Sequence, residues 1–293
     1  MLDLEKMHLV VQQALEEDVG TGDVTTQVTV PDGVIAEGII LAKETGVVAG
    51  IPVAMATFQT ISKEVQFQPH LKDGQRINKG AAVARIWGPA KDILTAERVA
   101  LNFLQRLSGI ATQTARYVQA VAGTGAKILD TRKTTPGLRF LEKYAVRMGG
   151  GHNHRMGLHD MVLIKDNHIR AGGSIAQAVQ RVRAQGIGLP MEVEASDLEQ
   201  VNQAIQAGVD RIMLDNMNLA QLQEAVALVH SQKERDQKPE LEASGKIDLA
   251  RVRQVAMTGV DLISVGALTH SAPALDMSLT ITDLVARREP EGE

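Results

Sequence analysis

The sequence contains no cysteine and very few aromatic residues. Among its 293 residues are one Trp, two Tyr and four Phe. Without cysteine the chain has no disulfide, no thiolate metal site and no cysteine nucleophile. So few aromatic side chains cannot build the stacking surfaces that bind single-stranded nucleic acid. We therefore expect no nucleic-acid partner.

An excess of charge of one sign and long apolar runs are also missing. The chain has 31 Lys and Arg against 35 Asp and Glu, a net charge of −4, which excludes a generally basic, polyanion-coating protein. The longest apolar stretches are interrupted by Gly, Pro or Glu before they reach the roughly 18 residues of a membrane span. The first residues lack the basic and apolar regions of a secretory signal. We expect a cytoplasmic protein with no membrane partner.

The first 110 residues mix helical and strand-like patterns. Apolar residues at helical spacing predict a first helix that ends near Gly20. Strand-like runs follow at 34–42 and 64–68. Helical periodicity returns over 91–121, with an interruption predicted near Ser108-Gly109.

From about residue 126 onward, short apolar runs alternate with amphipathic helical stretches. The six runs are 126–130, 161–166, 191–195, 211–215, 241–245 and 262–266. Successive runs begin 20 to 35 residues apart, a spacing that is typical of parallel strands joined by crossover helices. Six strands with room for one or two more, and no GxGxxG motif after any of them, favour a (β/α) barrel-like domain over a doubly wound sheet. The charged, proline-containing segment 231–240 predicts a solvated loop.

Charged or small residues follow nearly every predicted strand. The strand ends carry Asp130, Thr131, Arg132, Lys133, Lys165, Asp166, Glu194, Asp215, Asn216, Ser244, Gly245, Lys246 and Gly266. One charge after a strand is most often a solvated loop residue or a helix cap. Burial of apolar strands gives no reason for all of them to end alike, and the carboxyl ends of parallel barrel strands meet at one face. The pattern predicts a functional mouth at that face.

The net charge is unevenly distributed along the chain. Residues 127–170 carry nine Lys or Arg against four acids, a balance of +5, whereas the remaining residues carry 22 basic and 31 acidic side chains, a balance of −9. A basic mouth on an acidic body favours small anionic substrates. Arg132 and Arg155 can each bind a carboxylate or phosphate through two hydrogen bonds, and Lys133 and Lys165 act as point charges.

Acidic and small residues at the same mouth indicate a phosphorylated substrate. Glu194 and Asp215 end neighbouring strands, and two acids beside phosphate-binding groups are the usual means of holding Mg²⁺. Ser244, Gly245 and Gly266 allow backbone N–H groups to approach a phosphate closely.

The motif His152-x-His154 leaves three interpretations open. The two histidines could be metal ligands of a hydrolase, ordinary loop histidines, or, in the case of His154, a substrate contact. The motif follows three glycines and is flanked by Arg155. This cationic setting repels a divalent metal, which counts against the hydrolase.

Eight segments, in order along nearly the whole chain, closely resemble the quinolinate phosphoribosyltransferase family. They are EDVGTGDVTT, ERVALNFLQRLSGIAT, DTRKTTPGLR, GGGHNHRMGLHDMVLIKDNHI, EVEAS, MLDNM, LEASGKI and ISVGALTHSAPALDMSL. The TRKTTPG and IKDNH blocks are the most specific. The resemblance implies an α/β protein with an N-terminal α/β sandwich domain over 1–110, joined by the C-terminal segment 272–293. An open (β/α) barrel with parallel strands over 111–271 would carry the catalytic site.

The resemblance also implies an activity and an assembly. The family transfers the phosphoribosyl group of phosphoribosyl pyrophosphate to quinolinate with decarboxylation, which gives nicotinate mononucleotide, pyrophosphate and CO₂ in NAD biosynthesis. Its members form homodimers with shared active sites, in which one subunit's N-terminal domain covers the other's barrel mouth, and some assemble further into hexamers. No general acid for the decarboxylation is evident in the sequence.

Site residues follow from the same resemblance. The implied quinolinate-binding residues are Arg98, donated across the subunit interface, Thr131, Arg132, His154, Arg155 and Lys165. The implied phosphoribosyl pyrophosphate-binding residues are Lys133, Lys165, Glu194, Asp215, Ser244, Gly245, Lys246, Val265, Gly266 and Ala267. Glu194 and Asp215 would hold Mg²⁺ together with the substrate phosphates. Lys246 stands where a small or amide residue is expected, and either contacts a phosphate or points to solvent.

Two rival functions use the same scaffold. One is a phosphoribosyltransferase for another anionic ring, such as the relatives associated with molybdate transport. The other is a catalytically silent, ligand-sensing protein. The full set of basic residues favours quinolinate, and the presence of both Glu194 and Asp215 beside them argues against a silent protein.

Overall fold

The computed structural model describes residues 2–231 and 238–286. The described chain divides into two compact units. The first comprises 1–113, 135–150 and 272–293, and the second comprises 114–134 and 151–271. Most of the loop predicted at 231–240 and the end of the segment 272–293 lie outside the described residues.

The helices and strands follow one another along the whole described chain. Up to residue 120 they are α1 (Leu4–Val19), α2 (Val24–Thr29), β1 (Val34–Ala42), β2 (Gly46–Val47), α3 (Ile51–Ile61), β3 (Gln66–Pro69), β4 (Arg76–Ile77), β5 (Ala82–Pro89) and α4 (Ala90–Ala120). The others are β6 (Lys127–Leu129), α5 (Arg139–Met148), β7 (Val162–Ile164), α6 (Asp166–Gly172), α7 (Ile175–Ala184), β8 (Met191–Ala195), α8 (Leu198–Ala207), β9 (Arg211–Asp215), α9 (Leu219–His230), β10 (Glu240–Ser244), α10 (Val252–Ala256), β11 (Leu262–Ser264), α11 (Ala267–His270) and β12 (Met277–Ala286).

The first unit is built on a four-stranded antiparallel sheet in the order β12-β1-β5-β3. Burial alternates along β1, so that one face of the strand is directed inward. This face packs with α3 and α4 into one apolar core that includes the fully buried Ile40, Phe58, Ile86 and Leu104. Each such side chain contributes roughly 1.5–3 kcal/mol by its removal from water. The helix predicted to end near Gly20 is confirmed, since Gly20 follows α1 with a φ of 53°.

The interruption predicted near Ser108-Gly109 is wrong, because α4 runs unbroken from Ala90 to Ala120. The two small residues serve close packing instead. The Ser108 hydroxyl accepts a hydrogen bond from the Ala49 N–H at 2.9 Å and donates one to the Ala49 carbonyl at 3.1 Å. A Cβ at position 109 would overlap the carbonyl oxygen of Pro273. Gly109 therefore lets another backbone segment of the same unit approach the helix.

The second unit is a parallel sheet in the order β6-β11-β10-β9-β8-β7. Its strands are buried almost throughout. A parallel bridge between Leu129 and His152 adds a seventh strand position beyond β6. Within the described ranges, no ladder joins His152 to β7, so the sheet is open at this point. The predicted fold class, an α/β chain with a parallel barrel-like C-terminal part, is confirmed.

Capping residues stop the crossover helices from extending into the loops at the strand ends. Ser174, Asp197 and Asn218 each accept a hydrogen bond from the backbone N–H three residues later, at the starts of α7, α8 and α9. Each cap is worth about 1 kcal/mol. Over the described part of the chain, no helix combines the length and apolar character that crossing a membrane requires.

Replacement of Gly109 by alanine tests the packing explanation of α4. In an exposed helix this change stabilises by up to about 1 kcal/mol. Here we expect it to lower the free energy of unfolding by about 2 kcal/mol, because the new methyl group meets the Pro273 carbonyl. Denaturant unfolding measures the change, with Gly188→Ala, which adds a methyl group in open space, as the control. Equal stability of the two variants would contradict the explanation.

Candidate functional site

The carboxyl ends of the parallel strands surround a cavity of about 710 Å³ in the second unit. This volume is typical of a small-molecule site. Thirteen of the predicted site residues line it: Thr131, Arg132, Lys133, His154, Arg155, Lys165, Asp215, Ser244, Gly245, Lys246, Val265, Gly266 and Ala267. Other lining residues, including Asn216, Glu242, Asp248 and His270, were not among the predicted site residues. The sequence therefore predicted the location of the cavity, while the individual roles stay predictions.

Two predicted residues are not part of the lining. Glu194 lies behind Lys165, whose Nζ is 2.5 Å from the Glu194 Oε2. Arg98 is an exposed residue of α4 and belongs to the first unit. Its predicted role continues to rest on the resemblance alone.

A buried aspartate fixes the loop that carries the basic residues. Asp130, at the end of β6, is fully buried. It accepts hydrogen bonds from the backbone N–H of His154 at 2.9 Å and from the Asn153 side chain. The loop after it is held at a second point, where the Thr269 hydroxyl donates to the Lys133 carbonyl at 2.8 Å. These contacts place Arg132 and Arg155 at the same mouth.

Arg132 and Arg155 lie close enough to affect each other electrostatically. Burial lowers the pKa of the Arg155 guanidinium, and the positive charge of Arg132 lowers it further. Two neighbouring guanidinium groups with this mutual repulsion form a ready site for an anion with two negative groups.

Left-handed backbone shapes the side of the cavity that is lined by Asn216, Gly245 and Lys246. Gly245 has a φ of 99°, and a Cβ there would overlap the Asn216 side chain. Asn216 and Lys246 are also left-handed, with φ values of 55° and 44°. The Asn216 N–H donates to the Ser244 carbonyl at 2.9 Å and joins the two turns. Lys246 lines the cavity with an exposed side chain, and its role stays a prediction.

Three buried side chains, His154, Glu192 and Glu242, form a cluster at the cavity wall, and the sequence analysis missed both glutamates. The His154 Nε2 lies 3.0 Å from the Glu192 Oε2 and 3.4 Å from the Glu242 Oε2, and both glutamates are fully buried. The alternation of side chains along a strand could have identified both glutamates from the sequence. Glu192 lies two residues before Glu194, and Glu242 two residues before Ser244, so both face the same side of the sheet as a predicted site residue.

Burial lowers the pKa of His154, but the close, negatively charged carboxylates of Glu192 and Glu242 outweigh this effect and raise it to about 9. Burial and the charge of Glu242 raise the pKa of Glu192. The backbone N–H of Arg155 donates to the His154 Nδ1 at 2.7 Å, which requires a neutral ring. We assign the charged ring at neutral pH, because two buried carboxylates favour it more than one N–H contact opposes it.

The two histidines of the His152-x-His154 motif have different surroundings. His152 is exposed and takes part in the bridge to β6, whereas His154 is buried. Among the described residues, three side chains lie close enough together to hold a metal ion, namely His154, Glu192 and Glu242. His152 is not one of them. The motif therefore does not act as a pair of ligands.

Known proteins resemble this chain over nearly its whole length. Residues 23–108 and 110–280 match the family models for the N-terminal and C-terminal domains of quinolinate phosphoribosyl transferase. A probable carboxylating nicotinate-nucleotide pyrophosphorylase of Synechocystis is 47% identical, over 92% of this chain and 91% of that protein. The corresponding protein of Mycobacterium leprae is 44% identical, over 92% and 95%. The structure of the nicotinate-nucleotide pyrophosphorylase from Francisella tularensis superposes with a TM-score of 0.90 at 38% identity, over 96% of this chain and 98% of that one.

The raised pKa of His154 predicts a pH-dependent stability. A histidine whose pKa rises from 6.5 to about 9 on folding stabilises the fold fully below about pH 6.5, and this contribution is lost as the pH rises through 9. Between pH 6 and pH 10, we expect the free energy of unfolding of the wild type to fall by roughly 3 kcal/mol more than that of His154→Gln. Urea unfolding at each pH measures the difference, and parallel curves for the two proteins would contradict it.

Both negatively and positively charged side chains surround the His154 ring. They are Glu192 on β8, Glu242 on β10 and, next to Glu242, Arg211 on β9 at 3.5 Å. Arg211→Gln is the second variant of this experiment. It retains the titrating ring, so its stability should keep the pH dependence that His154→Gln loses.

Proposed function

The chain belongs to the quinolinate phosphoribosyltransferase family, and we propose that the cavity at its strand ends is where the family's reaction takes place. That reaction transfers the phosphoribosyl group of phosphoribosyl pyrophosphate to quinolinate with loss of CO₂, in NAD biosynthesis. The single observation that carries the proposal is the cavity itself, which brings paired arginines and phosphate-compatible backbone to one place.

Quinolinate, a pyridine dicarboxylate, suits the arginine side of the cavity. The positive charge of Arg132 acts on Arg155, and two carboxylates on one ring can each pair with one of the two guanidinium groups. Lys165 adds a point charge, and Thr131 a hydroxyl. Substrate contact through the His154 Nε2 requires the ring to turn, because this nitrogen faces the two buried glutamates.

Phosphoribosyl pyrophosphate suits the opposite side. A Cβ at Gly266 would lie 3.1 Å from the Lys133 side chain, so the glycine allows Lys133 to cross the backbone closely. The turn at Ser244 and Gly245 supplies backbone N–H groups for a phosphate. Lys246, Val265 and Ala267 complete this side of the lining.

Mg²⁺ fits the acidic residues of the mouth. Asp215 lines the cavity, and its Oδ2 accepts a hydrogen bond from the Asn216 amide at 2.8 Å. Glu194 is paired with the lysine of the same wall. Two carboxylates are too few to coordinate Mg²⁺ by themselves. They suit a Mg²⁺ ion that is also coordinated by substrate phosphates. When bound, Mg²⁺ would neutralise charge on the pyrophosphate.

The protein's contribution to the reaction is placement and charge. The basic residues would orient the pyridine nitrogen toward the ribosyl carbon and stabilise the departing pyrophosphate, as the ribosyl carbon gains oxocarbenium character. Once ribosylated, the ring nitrogen carries a positive charge that stabilises the electron pair left by the departing CO₂, and a proton from solvent then replaces the lost carboxylate. No nucleophilic side chain is required.

A purified sample tests the proposed reaction directly. With quinolinate, phosphoribosyl pyrophosphate and Mg²⁺, we expect equal amounts of pyrophosphate and CO₂, and we expect nicotinate, which lacks the second carboxylate, to be a poor substitute. Consumption of phosphoribosyl pyrophosphate with another anionic ring, and not with quinolinate, would contradict the choice of substrate.

A homodimer with shared sites is the second part of the proposal, and Arg98 would be the residue that one subunit donates to the other. Neither Arg98→Ala nor Lys133→Ala should be active alone. After subunit exchange about half the dimers are mixed, and each mixed dimer has one intact site, so about a quarter of wild-type activity should return. Exchange without recovery would show that each site is built within one chain.

A further inference from the structure

We propose that Glu192 and Glu242 are positioning residues, which hold His154 and the chain segment 152–155 in place for substrate binding. The inference rests on the proposed function, because Arg155 of this segment is one of the residues that would bind the dicarboxylate.

The segment 152–155 lies at the open edge of the parallel sheet. It joins the sheet through the single bridge to β6, with hydrogen bonds of 2.8 and 3.1 Å on either side of His152. Three glycines, residues 149–151, precede it and impose little restriction on the chain. Other contacts must therefore fix where Arg155 lies.

The His154 side chain supplies such a contact by crossing the sheet. Its Nε2 reaches Glu192 on β8 and Glu242 on β10. These strands are separated by β9, and two further strands, β11 and β6, lie between β10 and the bridge at His152. Because its side chain is only 6% exposed, His154 links the open edge to distant strands through the interior of the unit.

Burying the two glutamate carboxylates costs folding free energy, so a purely structural role explains the pair poorly. Neither oxygen of either buried carboxylate has a hydrogen bond of good geometry among the described residues. The positive charge near them comes from His154, from Arg155 near Glu192, and from Arg211, which also forms an ion pair with Glu240 at 2.8 Å. Apolar side chains of similar size usually stabilise such a position as well or better. A costly ionic cluster beside a binding cavity is typical of a site under functional constraint.

Charge repulsion opposes direct binding of the dicarboxylate by the glutamates. The contact through which both of them can place the segment is the His154 ring, and Glu192 in addition acts on Arg155 through its charge. The backbone N–H of His154 is tied to Asp130, so anchoring its side chain as well fixes residue 154 at two points. Arg155 follows directly, and its Nη1 donates to the Met161 carbonyl at 3.3 Å.

The experiment compares Glu192→Gln and Glu242→Gln with Glu199→Gln, a control on the exposed side of α8. We expect each cluster variant to raise the KM for quinolinate by about tenfold, while the KM for phosphoribosyl pyrophosphate stays within about twofold. The Glu242→Gln change should have little further effect in a His154→Gln background, because both act through the same ring. Equal rises in both KM values, or additive effects, would overturn the proposal.

Hydrogen exchange of the segment 152–155 gives a readout that needs no substrate. We expect faster exchange in both cluster variants and wild-type exchange in the control. Unchanged exchange in the cluster variants would overturn the proposal. If wild type lacks activity with quinolinate, the proposed function fails, while the exchange result still decides whether the glutamates hold the segment.

The side chains of His154, Glu192 and Glu242 could instead bind a metal ion. Metal analysis of the purified protein tests this alternative. We expect no stoichiometric transition metal, because Arg155 and Arg211 make the surroundings cationic. One zinc or manganese ion per chain, lost in Glu242→Gln, would overturn the positioning role in favour of a metal site.

Discussion

Parallel strand pairing in register is the constraint on which the site depends. The register aligns Glu194 with Met213 and Asp215 with Ser244, so that neighbouring strands reach the mouth together. Because side chains alternate between the faces of a strand, a slip of one residue in β8 would turn Glu192 and Glu194 away from the cavity side at the same time. The buried apolar residues that alternate with them, Met191, Val193 and Ala195, resist such a slip, since they would leave the core. The core therefore determines where the charges lie.

The charges of the site differ between its surface and its interior. Arg132, Arg155 and Lys165 line the cavity, where Arg132 lowers the pKa of Arg155 and Lys165 pairs with Glu194. In the interior, the His154 ring lies against two fully buried glutamates. This division explains how a chain with a net charge of −4 can present an anion site.

The sequence was most informative where structure is local and periodic. The alternation of strands and helices after residue 126 predicted the parallel sheet, and the charged and small residues that end the strands predicted much of the lining of the cavity. Ser108 and Gly109 were misinterpreted because their role depends on Ala49 and Pro273, distant in sequence. The glutamate cluster was missed for a similar reason, since nothing near Glu192 in sequence indicates that His154 lies against it. Arg98 and the magnesium ligands stay predictions, because their roles concern a partner subunit and an ion.

The pairing of β12 with β1 has a consequence for how the chain is made. Strand β1 lies between β5 and β12 in the sheet, and its partner in β12 is more than 200 residues later. A ribosome therefore releases the whole second unit before the first can complete its sheet. In the interval, one edge of β1 has unpaired backbone groups, which other unfinished chains can bind. The synthesis of β12 thus ends a period in which the nascent chain is exposed to misassembly.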